Sequence, residues 1–149
     1  MRAVVTRVKN ASVVIDGKTV GAIEKGFLVL LGVAPQDTVA DAEKLADRVC
    51  GCRVFEDEAG KMNLSLSQVG GSLLVVSQFT LYADLKSRRP GFTTAARPEI
   101  AGPLYEHFMK CCKERGFTVE HGQFGADMQV ISQNDGPVTL LFQTENQAN

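Results

Sequence analysis

The sequence predicts a mixed α/β fold with largely antiparallel sheets and two main helices. Short valine- and leucine-rich segments of strand length occupy both ends of the chain, and two separated stretches between them carry apolar residues at helical spacing. Because strands and helices do not alternate regularly, a doubly wound parallel sheet is not expected. The length of 149 residues, with 44% hydrophobic and 22% charged residues, is typical of one globular domain spanning residues 1–149.

The first strands are predicted from valine-rich segments and a turn signal. Ala3 to Val8 and Ala11 to Ile15 are rich in valine, and Asp16-Gly17 is a pair that tolerates the positive φ of a tight hairpin. The chain is expected to return through a strand at Thr19 to Ile23. Phe27 to Leu31 is a continuous apolar run, which predicts a central strand buried on both faces.

The middle of the chain predicts a helix and two strands. Apolar residues recur at helical spacing between Asp37, the expected N-cap, and Gly51, which offers a stop. Cys52 to Phe55 predicts a short strand, and Leu73 to Tyr82 predicts a longer buried strand.

The last third predicts a second helix followed by strands. Pro98 is well placed as a first helical residue, and apolar residues repeat along one face until Gly116. Three short strands are expected after it, at Phe117 to Glu120, Met128 to Ser132 and Val138 to Phe142. The last two strands should be joined by a turn at 133–137, and the polar end from Thr144 to Asn149 is expected to fray.

The composition excludes several classes of protein. A net charge of −1 and a pI near 6.1 argue against bulk attraction to nucleic acid, so any RNA contact must be local and DNA is not an expected partner. No apolar run reaches the roughly 20 residues that span a bilayer, and the start lacks the layout of a secretory signal. We therefore expect a cytoplasmic protein without membrane contact.

The sequence predicts no metal site and no cofactor. Cys50, Cys52, Cys111 and Cys112 lack the spacing and the neighbouring histidines of zinc sites, so free thiols are expected. Gly70-Gly71 lacks the surrounding pattern of a phosphate loop or a dinucleotide fingerprint.

The segment from Ser77 to Asp84 carries more polar groups than a sheet core needs. In a regular strand Ser77 and Phe79 face one way and Gln78 and Thr80 the other, although a bulge would change this. Two interpretations are open on these residues alone: strand hydroxyls bonded to backbone, or a catalytic group. A hydroxyl nucleophile needs a base within hydrogen-bond reach, and the two histidines of the chain lie in no recognisable triad motif.

A second polar segment runs from Asn134 to Thr139. Pro137 fixes φ, removes a hydrogen-bond donor and makes a cis peptide after Gly136 much less costly than elsewhere. The segment is therefore either an ordinary turn between strands or a device that aims a bare carbonyl into a pocket.

The loop from Asp84 to Phe92 is polar and basic. Lys86, Arg88 and Arg89 are candidates for contact with RNA phosphates, because lysine and arginine provide most backbone contacts to nucleic acid. A solvated surface loop fits the same residues equally well.

At the two polar segments the sequence resembles the D-aminoacyl-tRNA deacylases. The paired signatures of that family match Ser77-Gln78-Phe79-Thr80-Leu81 and Asn134-Asp135-Gly136-Pro137-Val138-Thr139, both intact. The likeness covers nearly the whole chain and includes Arg7-Val8, Gly60-Lys61-Met62-Asn63-Leu64 and Phe124-Gly125-Ala126-Asp127-Met128. Two spaced motifs and a matching length make the resemblance specific, whereas Tyr82 and the basic loop lie where the family is expected to vary.

The resemblance implies a three-layer α/β/β fold and a homodimer with an isologous interface. Gly136-Pro137 would be cis and reach into the site of the partner subunit, and Arg7 would help to hold that segment. The resemblance places catalysis, mostly through backbone groups, at Ser77, Gln78, Phe79 and Thr80, with support from Phe124 and Met128.

The activity that the resemblance implies is hydrolysis of D-aminoacyl-tRNA to free D-amino acid and tRNA. The Gly136 carbonyl would collide with an L side chain, whereas a D side chain would turn away. Glycine has no side chain to reject, so glycine mischarged on alanine tRNA would also be hydrolysed. The resemblance further implies that the 2′-hydroxyl of the terminal adenosine assists catalysis, with Thr80 as a covalent nucleophile the alternative.

Two other classes of function are compatible with the residues. An RNA-end-binding module would use the same pocket and the basic loop but leave the ester intact. A structural homodimer without a ligand predicts an ordinary trans turn at Gly136-Pro137 and no pocket between that turn and Thr80.

Overall fold

The computed structural model describes residues 1–145. Its elements, in chain order, are β1 (Arg2–Ile15), β2 (Lys18–Ile23), β3 (Gly26–Gly32), α1 (Val39–Gly51), β4 (Phe55–Glu56), β5 (Met62–Leu64), β6 (Ser72–Ser77), a short 3₁₀ helix (Phe79–Tyr82), α2 (Pro98–Glu114), β7 (Val119–His121) and β8 (Gln129–Gln143). Among the described residues, no helix is both long enough and apolar enough to cross a membrane.

The main sheet is mixed and mostly antiparallel, which confirms the predicted fold class. The strand order is β2-β1-β3-β6-β7, and β8 pairs with β1 outside this path. β1 pairs antiparallel with β2, β3 and β8, whereas β6 runs parallel to both β3 and β7. A Cβ at Gly21 of β2 would collide with the His121 carbonyl of β7, so the two edge strands approach closely and the sheet curves toward a barrel.

Apolar residues on the two faces of the sheet form two clusters. Phe27, Val29 and Leu31 of β3 belong to the larger cluster, which the helices cover, whereas Leu28 belongs to a smaller cluster with residues from β1, β2 and β6. The prediction that β3 is buried on both faces is therefore confirmed. The helices and the two halves of the curved sheet form three layers.

The strand prediction for the chain ends was wrong in one respect, because each pair of predicted pieces is a single strand. β1 continues through the interval between Val8 and Ala11, and β8 continues through the predicted turn at 133–137. The register between these two strands shifts between Thr6 and Asn10. These irregularities absorb the extra residues as bulges, so no reversal of the chain is needed.

The predicted strand from Leu73 to Tyr82 ends early. β6 stops at Ser77, and residues 79–82 form the 3₁₀ helix, so the alternation predicted for a regular strand does not apply there. Gln78 N donates to Leu31 O at 2.8 Å, after which the chain turns over the end of β3. Gly32 permits this turn, because a Cβ there would lie 2.9 Å from the Leu81 Cβ.

The first helix begins one residue later than predicted. Thr38 rather than Asp37 is the N-cap, in a capping box in which Thr38 N donates to Asp41 Oδ2 at 2.8 Å. The Asp37 carboxylate instead accepts a hydrogen bond from Ala34 N at 2.6 Å. Because the Asp37 carboxylate is hydrogen-bonded within the preceding loop, Thr38 acts as the N-cap of α1.

The second helix begins at Pro98, as predicted, and ends before Gly116, whose φ is +92°. The expected strand at Cys52 to Phe55 is displaced, because β4 comprises only Phe55–Glu56 and pairs with β5. The four cysteines are free thiols, and Cys50 Sγ of α1 lies 3.7 Å from Cys112 Sγ of α2.

The end of β8 is fastened to the start of β1. Thr144 N donates to Met1 O at 2.9 Å, and Arg2 Nε lies 2.7 Å from Glu145 Oε1. The expected fraying therefore does not reach Thr144 and Glu145, while the rest of that tail, 146–149, lies outside the described residues.

Candidate active site

An open cleft of about 640 Å³ lies where several elements end together. The end of β6, the 3₁₀ helix, the start of α2 and the 124–128 segment enclose it. Most of its surface is apolar. The cleft lining includes five of the residues that the resemblance to the deacylases places in the site: Ser77, Gln78, Phe79, Phe124 and Met128.

The 3₁₀ helix presents backbone donors beside this cleft. Within residues 1–145, the N–H groups of Phe79 and Thr80 donate to no protein acceptor, whereas Gln78 N and Leu81 N are both bonded. The Phe79 side chain is 56% exposed, and its ring meets Phe92 edge-on at a centroid distance of 5.0 Å. Two consecutive N–H groups without partners can stabilise an oxyanion.

Thr80 does not have the partners of a protein nucleophile. Its hydroxyl is hydrogen-bonded to Gln78 Nε2, and neither residue contacts a histidine. His107 Nε2 lies 3.1 Å from Glu43 Oε1, and His121 Nδ1 lies 2.6 Å from Gly122 O. In the described part of the chain, no base is within hydrogen-bond reach of the Thr80 hydroxyl.

The 124–128 segment forms the opposite wall. The Phe124 ring packs against Tyr105 of α2 at a centroid distance of 5.8 Å, and the Tyr105 hydroxyl donates to Val75 O at 3.0 Å. Burial raises the pKa of Tyr105, with the nearby Glu106 charge adding to the effect, so this phenol stays protonated and acts as a donor. Across residues 1–145, the carbonyl oxygen of Phe124 accepts no hydrogen bond.

Sequence reasoning missed three residues that line the cleft. Phe92, Arg97 and Tyr105 reach it from the loop before α2 and from α2 itself. Arg97 directly precedes Pro98, the first residue of α2. The predicted start of this helix was the sequence signal that could have identified Arg97. Tyr105 sits at the edge of the apolar helix face, where spacing alone does not distinguish a core residue from a cleft residue.

The Gly136-Pro137 segment has an unusual local structure. The peptide bond between these residues is cis, and the φ of Gly136 is +142°. Arg7, which is 5% exposed, donates from Nε to Asp135 O at 2.8 Å and from Nη1 to Val54 O at 2.5 Å. The interpretation as a structural homodimer without a ligand predicted an ordinary trans turn here, and the structure does not contain one.

Gly136 and Pro137 do not line the cleft of their own chain. The structure thus brings the 77–79 and 124–128 segments together and leaves the 134–139 segment apart from them. Within a single chain, the Gly136 carbonyl is therefore not part of the cleft wall.

The basic loop is an exposed turn next to the 3₁₀ helix. Asp84 and Gly91 exchange backbone hydrogen bonds of 2.7 and 2.9 Å, which close the loop. Lys86, Arg88 and Arg89 are exposed, and in the described residues none of them forms an ion pair. They lie outside the cleft lining.

Comparison with known proteins shows which class of enzyme has this fold and cleft. The chain is 60% identical over 144 residues to a D-aminoacyl-tRNA deacylase of Shewanella baltica (strain OS185), with 96% of this chain and 99% of the relative covered. It is 58% identical over 146 residues to the D-aminoacyl-tRNA deacylase of Desulfatibacillum aliphaticivorans, covering 97% and 100%. The class is therefore that of the D-aminoacyl-tRNA deacylases, which are hydrolases.

The family model described as D-Tyr-tRNA(Tyr) deacylase matches residues 4–143. The chain belongs to this family, which confirms the resemblance seen in its two motifs.

Two solved structures share the fold. One, titled "c-Myc DNA Unwinding Element Binding Protein", has a TM-score of 0.91 and 40% identity, with 97% of this chain and 99% of that chain covered. The other, titled as a probable eukaryotic D-amino acid tRNA deacylase, has a TM-score of 0.83, 16% identity and coverage of 95% and 97%. The second likeness concerns the fold alone.

Proposed function

We propose that the chain hydrolyses the ester between a D-amino acid and the terminal adenosine of tRNA, releasing free D-amino acid and tRNA. Family membership and the names of the relatives support the reaction class. The observation that carries the proposal is the pair of unpaired N–H groups at Phe79 and Thr80, beside an apolar cleft in which no protein nucleophile is paired with a base.

Backbone groups stabilise the transition state in the proposed reaction. Water attacks the ester carbonyl, and the N–H groups of Phe79 and Thr80 donate to the oxyanion that develops. Removal of one such donor from an enzyme costs roughly 100- to 1,000-fold in rate. The 2′-hydroxyl of the terminal adenosine helps to activate the water, a role that no side chain near Thr80 is placed to fill.

The remaining cleft residues hold the substrate. Ser77 and Gln78 bind the adenosine or position the ester, and the free carbonyl of Phe124 accepts a hydrogen bond from the substrate ammonium. Met128 supports this wall, because its sulfur packs against Gly122, where a Cβ would collide with it. Outside the cleft, the exposed basic loop contacts tRNA phosphates, and these contacts should weaken as salt is raised.

Chirality is checked by a second copy of the chain. The Gly136-Pro137 segment does not line the cleft of its own chain, and in the proposal its carbonyl acts in the cleft of a partner. There it blocks the direction in which an L side chain projects, while a D side chain points away. Glycine passes the same check, so glycine mischarged on alanine tRNA is also a substrate.

The exposed face of β8 supports a homodimer. Ile131 and Leu141 on this strand are 56% and 58% exposed, and within residues 1–145 β8 pairs only with β1. Burying these side chains against the same strand of a second copy removes apolar surface from water. The strand that carries Gly136 would then lie at the interface between the subunits.

The proposal is tested with D- and L-tyrosyl-tRNA, each ending in a normal or a 2′-deoxy terminal adenosine. We expect rapid loss of the normal D ester, slow loss of the 2′-deoxy D ester and survival of both L esters. If both normal esters survive in the presence of bound protein, the chain is an RNA-end-binding module. Equal hydrolysis of D and L esters would contradict the chiral check.

The same assay separates the two mechanisms. Thr80→Ala keeps the backbone N–H, so we expect kcat to stay within about fivefold of the parent enzyme if the donors are the backbone groups. A loss of roughly 1,000-fold or more is the outcome that a covalent Thr80 nucleophile predicts.

A further inference from the structure

Three side chains form a hydrogen-bonded cluster at the 3₁₀ helix, and none of the three lines the cleft. Arg2 Nη1 donates to Leu81 O at 2.9 Å, and Arg2 Nε donates to Glu145 Oε1 at 2.7 Å. The Tyr82 hydroxyl donates to Glu145 Oε2 at 2.9 Å. The Arg2 guanidinium carbon also lies 4.4 Å from the centre of the Tyr82 ring, within cation–π range.

The charge states of this Arg2–Tyr82–Glu145 cluster are well defined. Burial raises the pKa of Tyr82, and its hydrogen bond to Glu145 raises it further, so the phenol is a donor. Burial alone would raise the pKa of Glu145, but hydrogen bonds from its own backbone, Arg2 and Tyr82 bring it below the ordinary value. Glu145 is therefore an ionised acceptor that joins the guanidinium to the phenol.

The Arg2–Tyr82–Glu145 cluster anchors the 3₁₀ helix, which lies outside the strands of the sheet. The chain leaves the sheet ladder at Gln78, whose N–H bonds Leu31 O, and residues 79–82 follow outside any strand. At the far end of the 3₁₀ helix, Arg2 binds the Leu81 carbonyl, and the Thr94 hydroxyl donates to Tyr82 O. Rotation of this helix would turn the N–H groups of Phe79 and Thr80 relative to the cleft.

We propose that Arg2 is a positioning residue for hydrolysis, which holds the Phe79–Tyr82 helix so that the unpaired N–H groups of Phe79 and Thr80 keep their place beside the cleft. The inference rests on the proposed function, because those N–H groups are the proposed oxyanion donors. Arg2 and Glu145 lie 143 positions apart in the chain and outside both sequence motifs. Only the folded structure places them against the catalytic segment.

The test uses two substitutions of Arg2 and a matched arginine elsewhere. Arg48 also donates to a carbonyl at the end of β8, Gln143 O at 3.4 Å, and lies 5.9 Å from the Phe142 ring, but within residues 1–145 it forms no hydrogen bond to the 3₁₀ helix. Arg48→Ala therefore controls for general loss of an arginine at this end of the sheet. The reaction is steady-state hydrolysis of D-tyrosyl-tRNA, well below the melting temperature of each variant.

We expect Arg2→Ala to lower kcat by roughly 10- to 100-fold with KM within about twofold, because transition-state stabilisation is lost while binding is kept. Arg2→Lys should recover part of this loss, since lysine can donate to Leu81 O or to Glu145 but does not present the arginine fork. If Arg2→Ala fails to fold, Tyr82→Phe takes its place in the test. This substitution removes only a hydroxyl and should lower kcat a few-fold. Arg48→Ala should leave kcat and KM unchanged.

A second readout is independent of activity. Amide hydrogen exchange at Leu81 and Ala83, whose N–H groups donate to Gln78 O and Thr80 O, should accelerate in Arg2→Ala and not in Arg48→Ala. An unchanged kcat, a rise in KM alone, or unchanged exchange in Arg2→Ala would overturn the inference. An inactive parent enzyme would instead contradict the proposed function, while the exchange measurement would still test the role of Arg2.

Discussion

Gly136 has a local geometry that leaves little room for a side chain. Its φ of +142° is a conformation that L residues rarely adopt. A Cβ at this position would lie 2.7 Å from Val138 Cγ2 and 3.1 Å from Arg7 Nη2. Because the Arg7 guanidinium is itself fixed by two carbonyl groups, the segment cannot relax easily around an added methyl group.

Gly136→Ala should therefore displace the carbonyl on which the proposed chiral rejection depends. We expect the ratio of kcat/KM for D- over L-tyrosyl-tRNA to fall by roughly 100-fold, since displacements near 1 Å cost that much in positioned reactions. The control is Gly17→Ala, because Gly17 also has a positive φ, of +76°, but its Cβ would meet nothing within 4 Å. A preserved ratio in Gly136→Ala would show that chirality is read elsewhere.

At the scale of single residues, the motifs identified part of the cleft lining. Ser77, Gln78 and Phe79 were named from sequence and line the cleft. The lack of partners for the Phe79 and Thr80 N–H groups could not be predicted, because it depends on where the 3₁₀ helix ends the ladder. Tyr105 was missed because its helical position is equally that of a core residue.

The element most affected by tertiary structure is the segment after β6. Phe79, Thr80 and Tyr82 have high strand propensity, and continuation of the strand was the natural expectation. The close approach at Gly32 and the contacts of Arg2 favour a 3₁₀ helix instead, and both come from distant parts of the chain. Patterns with strong periodicity, such as α2, were predicted with accurate bounds because one buried face determines them.

Pro137 is compatible with β8 because, in the part of the chain that the structure describes, this strand pairs on one side only. Proline cannot donate to a ladder, and strands that tolerate it lie at sheet edges or at irregularities. The sequence therefore predicted a turn where the structure has an irregular strand, held by the Asn134 side chain, whose Oδ1 accepts from Val138 N at 2.8 Å. The link from Arg7 to Asp135 fastens this part of β8 to β1.

Arg7→Lys should loosen the link between β1, β8 and the chain before β4. Lysine keeps the charge, but its single ammonium does not reproduce the rigid fork that serves Asp135 O and Val54 O together. With one buried carbonyl left unpaired, we expect the free energy of unfolding to fall by about 1–3 kcal/mol. Urea denaturation at neutral pH measures this change, and an unchanged midpoint would show that the link is not structural.

At the scale of the whole molecule, one face of β8 is left uncovered by the core that residues 1–145 form. Most residues of β8 are exposed, although the strand is 15 residues long and contains several large apolar side chains. The cleft and the Gly136-Pro137 segment belong to different regions of the same chain. Both features are accounted for if two copies pair along β8, so that each site takes its cleft from one subunit and its chiral check from the other.

Ile131→Lys should disrupt this assembly, because it places a charge on the proposed interface. We expect the molar mass in light scattering to change from that of two chains to that of one, with D-specific hydrolysis lost at the same time. Val39→Lys, at the exposed start of α1, is the control and should leave both properties intact. A monomeric parent enzyme that retains chiral discrimination would contradict the two-copy site.

The most direct measurement is a crystal structure of the protein with D-tyrosine joined to adenosine by an amide in place of the ester. We predict the adenosine at Ser77 and Gln78, the amide carbonyl oxygen beside the N–H groups of Phe79 and Thr80, and the D side chain directed outward. The carbonyl of Gly136 from the second subunit should stand against the α-carbon, where an L side chain would project. A ligand enclosed by one chain alone, with Gly136 remote from it, would contradict the central claim that each site is formed by two subunits.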